Sequence, residues 1–498
     1  MRRVNSLAAL FVVLAVSAPV ASLREDASAR LRADASAGQA AQLDRKQLPP
    51  VGKPPELRVP TWTTSKLSNG AQLIVSERKG LPLVSFTITF VGGSNQFEKA
   101  DRRGAAALTT AMLREGTKTR TGEQLALDLQ LLGTSVNAGV GGESGSISFQ
   151  STTEKFQPTL EILADMMLNP TFPAPALERL RAQRLVALAQ ANAQPGTIGN
   201  RVFSRVLYGA EHPYGQEANE ATIKAVTRDD VGGFHKEYFQ PGRAIITVVG
   251  DVNAAAVKSA IEKTLAAWTA GGDKPSFTYP ATPPLHAATI YLVDKPGAAQ
   301  SVVSVGIPGP PRNTPDYMAL QVMNFILGGH FQSRLNANIR EEKGYSYGVN
   351  SGFTYGKGPG PFRAGGDVVS DKTDVALIEF MKELRGIQGG RPITDEEITQ
   401  AKESMIQRLP NQFASVSAIG STITGLYLQD LPPDYYQNYA KGVNAVTKED
   451  VLRVAKKYVD LEHLNIVIVG DRKSIEEPLK KTGIAPIVIL DAEGKPGS

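Results

Sequence analysis

Two homologous halves, each mixing sheet and helix, make an α+β protein the expectation for this sequence, and three observations carry it. The chain has 498 residues, more than one ordinary domain holds. Strand-like and helix-like segments alternate from near Trp62 to about residue 270, and strand-like segments then resume at ATIYLVD and SVVSVGI. Finally, AVTRDDVGGFHKEYFQPGRAIITVVGD (225–251) aligns without a gap to AVTKEDVLRVAKKYVDLEHLNIVIVGD (445–471), with 11 of 27 positions identical at an offset of 220. Each copy reads as Ala-Val-Thr, a charged helix closing on a tyrosine (Tyr238, Tyr458), and a β-branched strand ending in Gly-Asp. Thr227 and Thr447 stand where helix N-caps belong. So long a period is no solenoid; it marks a duplicated domain.

The segments follow in order. Met1-Arg2-Arg3, an apolar run from Leu7 to Val20, and the small residues Ala21 and Ser22 have the sequence of a secretory signal peptide over 1–22. The apolar run is short for a membrane span, and no later segment approaches the ~18 apolar residues a span needs. Residues 23–60, including the near-repetitive REDASARLRADASA, read as a disordered leader. The first domain is expected over 61–269, opening with AQLIVSER and LVSFTITFVGG as strands after the Asn69-Gly70 turn. SGSISFQST (144–152) is its candidate edge strand. AGGDKPSFTYPATPP begins a Gly/Pro-dense linker, 270–286. The second domain is expected over 287–485, and 486–498 is read as a tail.

Composition excludes several chemistries. Hydrophobic content of 42% and charged content of 21% suit a globular protein, and a net charge of +5 with no long Lys/Arg block gives no nucleic-acid footprint. There is no cysteine, which removes disulfides, thiolate metal sites and cysteine nucleophiles. The five histidines are scattered; neither H-E-x-x-H nor H-x-x-E-H occurs, nor a G-x-S-x-G elbow or a phosphate-binding glycine loop.

Two stretches remain. GAAALTTAML (104–113) has Ala105, Leu108 and Met112 at helical spacing for a core, while Ala107, Thr110 and Ala111 leave its other face without reactive groups. GGHFQSRLNANIREEKGYSYGVNSGF (328–353) places Leu335 and Ile339 on one helix face, ends the helix at Lys343-Gly344, and then alternates with period two. That alternation puts Tyr345, Tyr347, Val349 and Phe353 on one strand face. Arg340, in the last helical turn, and Tyr347 offer fixed hydrogen-bond donors.

These places, together with GTKTRTGEQLALDLQLLG, HPYG (212–215), YFQP…VVGD, DKPGAAQS (294–301) and REEKGYSYGV (340–349), make the chain over roughly 62–485 resemble the pitrilysin/insulinase-type zinc peptidases, the inverted zincins. The likeness is to short secreted bacterial members related to mitochondrial processing peptidase. It implies a duplicated fold in which each domain is a mainly antiparallel sheet with helices on one side. Catalytic relatives carry G-x-x-H-x-x-E-H ahead of Gly-Thr, two histidines holding zinc and the glutamate serving as general base. Gly104 and Gly116-Thr117 match that frame, but Ala107 and Ala111 stand at the histidine positions and Thr110 at the glutamate. The third ligand position falls near Ala187, and no acid occurs between Arg179 and Ala210.

The distal half departs in the other direction. Arg340 and Tyr347 match an arginine and a tyrosine, seven apart, that family members with catalysis shared between domains keep to bind the substrate carbonyl or stabilise the oxyanion at a zinc site. The resemblance therefore implies a non-catalytic subunit of a heterodimeric zinc peptidase. This chain would contribute Arg340 and Tyr347 and hold no cofactor of its own. A homologous H-x-x-E-H-bearing partner would bring the zinc, and peptides would be the substrates. The signal peptide implies secretion across the inner membrane, to the periplasm, with no membrane span left after cleavage. The alternative is a non-enzymatic peptide-binding or scaffold homologue of the same fold; a self-sufficient hydrolase is disfavoured by the lack of clustered ligands.

Overall fold

A computed structural model describes residues 57–269, 271–273 and 277–497. The expected signal peptide, nearly all of the leader and part of the linker lie outside the described residues. The described residues between 271 and 286 contain no helix or strand.

Among the described residues, twelve strands form two six-stranded sheets. In the first, β1 (Thr63–Lys66), β2 (Gln72–Glu77), β3 (Leu83–Val91), β4 (Asn137–Val140), β5 (Ser144–Thr152) and β6 (Ala244–Gly250) lie in the order β1-β2-β6-β3-β5-β4. In the second, β7 (Thr289–Asp294), β8 (Gln300–Pro308), β9 (Ser346–Phe353), β10 (Pro361–Val369), β11 (Asn465–Gly470) and β12 (Ile487–Leu490) lie in the order β12-β7-β11-β8-β10-β9. Strands β2 and β6 pair in parallel, as do β7 and β11, and β12 joins β7 in parallel; every other ladder is antiparallel. Five strands of each sheet repeat one topology, β2-β6-β3-β5-β4 and β7-β11-β8-β10-β9, as the 220-residue offset requires; the sixth differs, β1 being antiparallel to β2 and β12 parallel to β7. Residues 486–498, read from sequence as a tail, instead supply β12: Ile487–Leu490 continues the sheet beyond β7. Four residues are too short a pattern to separate from loop in the sequence.

Helices of eight or more residues are α1 (Ala105–Met112), α2 (Gly122–Leu131), α3 (Phe156–Leu168), α4 (Ala174–Asn192), α5 (Pro195–Tyr208), α6 (Arg228–Tyr238), α7 (Ala254–Thr264), α8 (Tyr317–Leu327), α9 (Thr373–Arg385), α10 (Asp395–Arg408), α11 (Val416–Leu428), α12 (Tyr435–Ala445), α13 (Lys448–Tyr458) and α14 (Arg472–Lys481). The repeated helices start as expected: Thr227 and Thr447 each accept the N–H three residues on, and Asp230 and Asp450 complete reciprocal capping boxes. Among the described residues no helix is long and apolar enough to cross a membrane.

Each sheet buries one face under helices of its own half. Phe86, Ile88, Ile246 and Val248 meet Leu108, Met112 and Leu160 in the first core; Val303, Val305, Ile466 and Ile468 meet Leu320, Met323 and Leu377 in the second. The opposite faces are covered by exchange. Helix α5 of the first half packs Ile198, Val202 and Phe203 on Val302, Val467 and Val469 of the second sheet. Helix α11 of the second half packs Ile419 and Ile423 on Ile74, Ile245 and Val249 of the first. Gly199 and Gly420 sit at matching points of these helices, and a Cβ there would come 3.3 Å from Val302 and 3.6 Å from Val249 respectively. Buried on both faces, β6 and β11 are almost wholly apolar runs.

Candidate functional site

Helix α1 begins at Gly104, whose φ of +108° favours glycine, and the Glu98 carboxylate accepts the Gly104 and Ala106 amides at 2.9 and 2.7 Å. Burial pushes the Glu98 carboxyl up, against the pull of those two amides and of Arg103. Ala105, Leu108 and Met112 are buried as the periodicity requires. The other face, with Ala107, Thr110 and Ala111, lines a cleft of about 480 Å³ together with Ala138, Gly139 and Val140 of β4 and Leu180 and Arg184 of α4. The Thr110 hydroxyl is engaged with its own helix, 3.1 Å from the carbonyls of Ala106 and Ala107. Ala187 lies on α4 about one turn beyond Arg184 and is exposed.

This donor set does not fit zinc. Three of the four positions carry a methyl group, the fourth a hydroxyl already bonded, and the cations Arg114 and Arg184 border the space. The histidines are engaged elsewhere: His212 with Pro280 and Tyr214, His235 with Met167, His286 with Tyr291, His330 with Phe325, and His463 with Asp460. Burial lowers the pKa of His212, His235 and His330. Among the described residues no group of three or more His, Cys, Asp or Glu could hold a metal ion.

Arg340 and Tyr347 occupy a well-braced corner of the second half. Leu335 and Ile339 are fully buried and anchor the helical segment, which widens to a π-turn over Ala337–Glu342 that carries Arg340. Gly344, at φ +66°, ends it, and the Tyr345 amide reaches back to the Ile339 carbonyl at 2.9 Å. Arg334 is locked by both oxygens of Glu397 at 2.6 and 2.7 Å. Asn338 Nδ2 donates to Glu379 and Glu383 at 2.8 Å each, and Asn336 Oδ1 accepts the Val349 amide at 3.1 Å, tying the turn to β9. The Arg340 guanidinium lies 4.2 Å from the centre of the exposed Phe331 ring and pairs with Glu341.

Tyr347 does not share a face with Val349, as strict alternation predicts. Strand β9 is the sheet edge, and its register against β10 slips between Gly366 and Val368, so Tyr347 sits in a bulge. Val349 is buried at 4% exposure whereas Tyr347 is 90% exposed. The Ser346 hydroxyl pins the bulge: it donates to the Asp367 carbonyl at 2.6 Å and accepts the Gly348 amide at 3.0 Å. Bulges re-aim side chains in this way beside functional sites. Ser346, Asn336 and Phe331 were missed in the sequence; Gly348 inside a strand pattern is the signal that could have disclosed the bulge. A second correction concerns the first sheet. Its edge is β4, which pairs with Gly145–Ser148, and β5 is interior along that length.

Residues 73–210 match the family described as Insulinase (Peptidase family M16), and residues 225–405 match the Peptidase M16 inactive domain. An "Uncharacterized zinc protease YmxG" of Bacillus subtilis is 24% identical over 344 residues, 68% of this chain and 81% of that one. A "Non-peptidase homolog YmxG" of Helicobacter pylori is 22% identical over 406 residues, 80% of this chain and 92% of its own. Among solved structures, a peptidase M16 inactive domain from Pseudomonas fluorescens superposes with a TM-score of 0.75 at 27% identity, covering 82% of this chain and 98% of its own. A protease from Helicobacter pylori gives 0.73 at 20% identity, covering 82% and 99%.

Proposed function

This chain belongs to the insulinase-type (M16) peptidase family, and from that premise we propose that it is the non-catalytic subunit of a heterodimeric zinc-dependent peptidase. Its inactive-domain match and its likeness to a non-peptidase homologue fit a non-catalytic member. In the proposed complex a homologous subunit with an intact H-x-x-E-H supplies the zinc. This chain supplies Arg340 and Tyr347, which bind the substrate carbonyl and donate hydrogen bonds to the oxyanion that develops there.

The observation that carries the reading is an asymmetry between the halves. The first half lacks the expected catalytic groups on the cleft-lining face of α1. The second half keeps an arginine on a π-turn and a 90% exposed tyrosine on a pinned bulge, with a polar network bracing both. Donors fixed before charge develops stabilise a transition state by a few kcal/mol in a dry site. Among the described residues no group of three or more His, Cys, Asp or Glu could hold a metal ion to generate such charge. We place the complex in the periplasm, since the N-terminal residues have the sequence of an export signal.

The test is to tag the chain in its native organism, purify it gently, and measure bound zinc and the identity of co-purifying chains. A one-to-one partner carrying H-x-x-E-H, with one zinc per pair, supports the reading. A zinc-free homodimer without such a partner overturns it in favour of a peptide-binding or scaffold role.

A further inference from the structure

Phe331 is a fixed residue with an unburied ring. The ring is 62% exposed and lies outside the hydrophobic cluster that holds Phe325 and Val349, so packing does not account for it. Its backbone is nevertheless held from both sides. The Gly328 and Gly329 amides donate to the Asn324 carbonyl at 2.9 and 2.7 Å, and the Gly328 carbonyl accepts the Ser351 amide at 3.0 Å. His330 is stacked on Phe325 with ring centres 4.1 Å apart, and its Nδ1 donates to the Phe325 carbonyl at 2.8 Å. The Ser333 amide donates back to the His330 carbonyl at 3.1 Å, and the Phe331 carbonyl accepts Asn336 Nδ2 at 2.6 Å. These bonds leave the ring little freedom beyond its own χ1 and χ2.

What the ring meets is Arg340. The guanidinium carbon stands 4.2 Å from the ring centre, within the range of a cation over an aromatic face. The other side-chain partner of Arg340 among the described residues is the adjoining Glu341, an exposed ion pair that water and salt screen. Such a pair orients a long side chain weakly, whereas a fixed ring face restricts where the guanidinium lies and leaves its edge donors free. The amide that holds Phe331 also reaches β9. Asn336, 3% exposed, accepts the Val349 amide on Oδ1 at 3.1 Å, two residues beyond Tyr347. One buried side chain thus joins the platform beneath Arg340 to the strand that presents Tyr347.

We propose that Phe331 is the positioning residue of Arg340: its ring face holds the guanidinium in its working orientation, and Asn336 keeps that platform in register with Tyr347. This rests on the reading that Arg340 and Tyr347 act at a partner's zinc site. Phe331 touches no reacting atom and acts through Arg340.

The test has one readout that needs no partner and one that does. In the full chain with isotope-labelled arginine, the Arg340 Nε–H resonance, identified by its loss in Arg340→Lys, should lie upfield because the ring face shields it. Phe331→Leu should return it to the position of an ordinary exposed arginine, and Phe331→Tyr should leave it in place. In the reconstituted pair, Phe331→Leu should lower kcat/KM for peptides about 10-fold, within what a cation–π contact supports once water is excluded, and Phe331→Tyr should restore it. In an Arg340→Ala background Phe331→Leu should cost nothing further. The exposed ring lies outside the cores, so an unchanged melting temperature is expected. A loss that persists in Arg340→Ala means that the ring meets the substrate itself and overturns the proposal. So does an unshifted Arg340 resonance, or a Phe331→Tyr chain no more active than Phe331→Leu. Turnover that ignores Phe331→Leu while Arg340→Ala lowers it sinks this inference and keeps the heterodimer. Turnover indifferent to Arg340→Ala, or the lack of any zinc-bearing partner, removes the heterodimer reading and this inference with it, even where the ring still shifts the resonance.

Discussion

The Ser346 hydroxyl stands 3.0 Å from the Gly348 amide, bridging the residues on either side of Tyr347 and fixing the bulge that turns the tyrosine outward. In the proposed complex, Tyr347→Phe should lower peptide turnover by about 10²-fold, because an oxyanion donor is removed while the ring remains. Ser346→Ala keeps the Tyr347 hydroxyl but frees its backbone. It should lower kcat by about 10- to 100-fold, with KM little changed, and Ser346→Thr should restore most of the loss. Steady-state kinetics on the reconstituted pair separate the outcomes. Unchanged turnover in Tyr347→Phe, with the complex intact, removes the tyrosine from the mechanism.

Much of this arrangement is legible in the sequence because it rests on periodicity and spacing. The gapless repeat announces two equal halves and Thr227 and Thr447 mark their helix starts; that the alanines of α1 stand at ligand positions comes from the family resemblance alone. What is not legible depends on tertiary contact. The bulge at Tyr347 is imposed by Ser346 bonding to Asp367 across the ladder, 21 residues away. The exchange of α5 and α11 between the sheets leaves no local mark, since each helix merely looks apolar on one side. Arg114 and Arg184 line one cleft only because α4 docks beside α1.

The same absence of ligands governs metal content. Purified alone, the chain should retain zinc far below one equivalent after dialysis; one tightly held equivalent would overturn the assignment of the α1 face. Ala107→His, Thr110→Glu and Ala111→His together restore side chains at i, i+3 and i+4 on one face. Binding should become stoichiometric only when Ala187→Glu is added, because a catalytic-type zinc site takes three protein ligands. Elemental analysis and competition with a chelating dye would measure both steps.

Asp316 offers a pH-dependent probe of the second half. It lies at the start of α8, and its carboxylate meets Arg453 at 2.7 Å, Lys457 at 3.0 Å and Tyr458 at 2.7 Å, all on α13. Burial alone would raise its pKa, but the Tyr458 hydroxyl and the two cations outweigh it and hold the group down at about 2. A carboxylate depressed in the folded state contributes stability above its unfolded pKa of about 4 and loses it as the pH falls through the folded value. Asp316→Asn should therefore cost about 2 kcal/mol at pH 7. The gap to the parent should shrink steadily between pH 4 and pH 2. Urea midpoints of both chains across that range measure it; a gap independent of pH would show that the charge is not what binds α8 to α13.

Where the halves exchange helices, one contact differs between the two copies. Thr247 on β6 and Thr424 on α11 are buried with their hydroxyls 2.7 Å apart. At the matching place in the second sheet the same helix-to-strand contact is made by apolar residues, Phe203 of α5 and Val467 of β11. The hydroxyl pair is thus one solution to burying this junction and an apolar pair is the other. Thr247→Val alone leaves the Thr424 hydroxyl buried without its partner and should cost about 1–3 kcal/mol, as should Thr424→Val. The double variant removes both polar atoms and should be close to neutral, giving a coupling of similar size in a double-mutant cycle. Additive losses in the double variant would mean that each hydroxyl stabilises the fold through a different neighbour. In that case the Thr247–Thr424 bond is not what holds α11 to the first sheet.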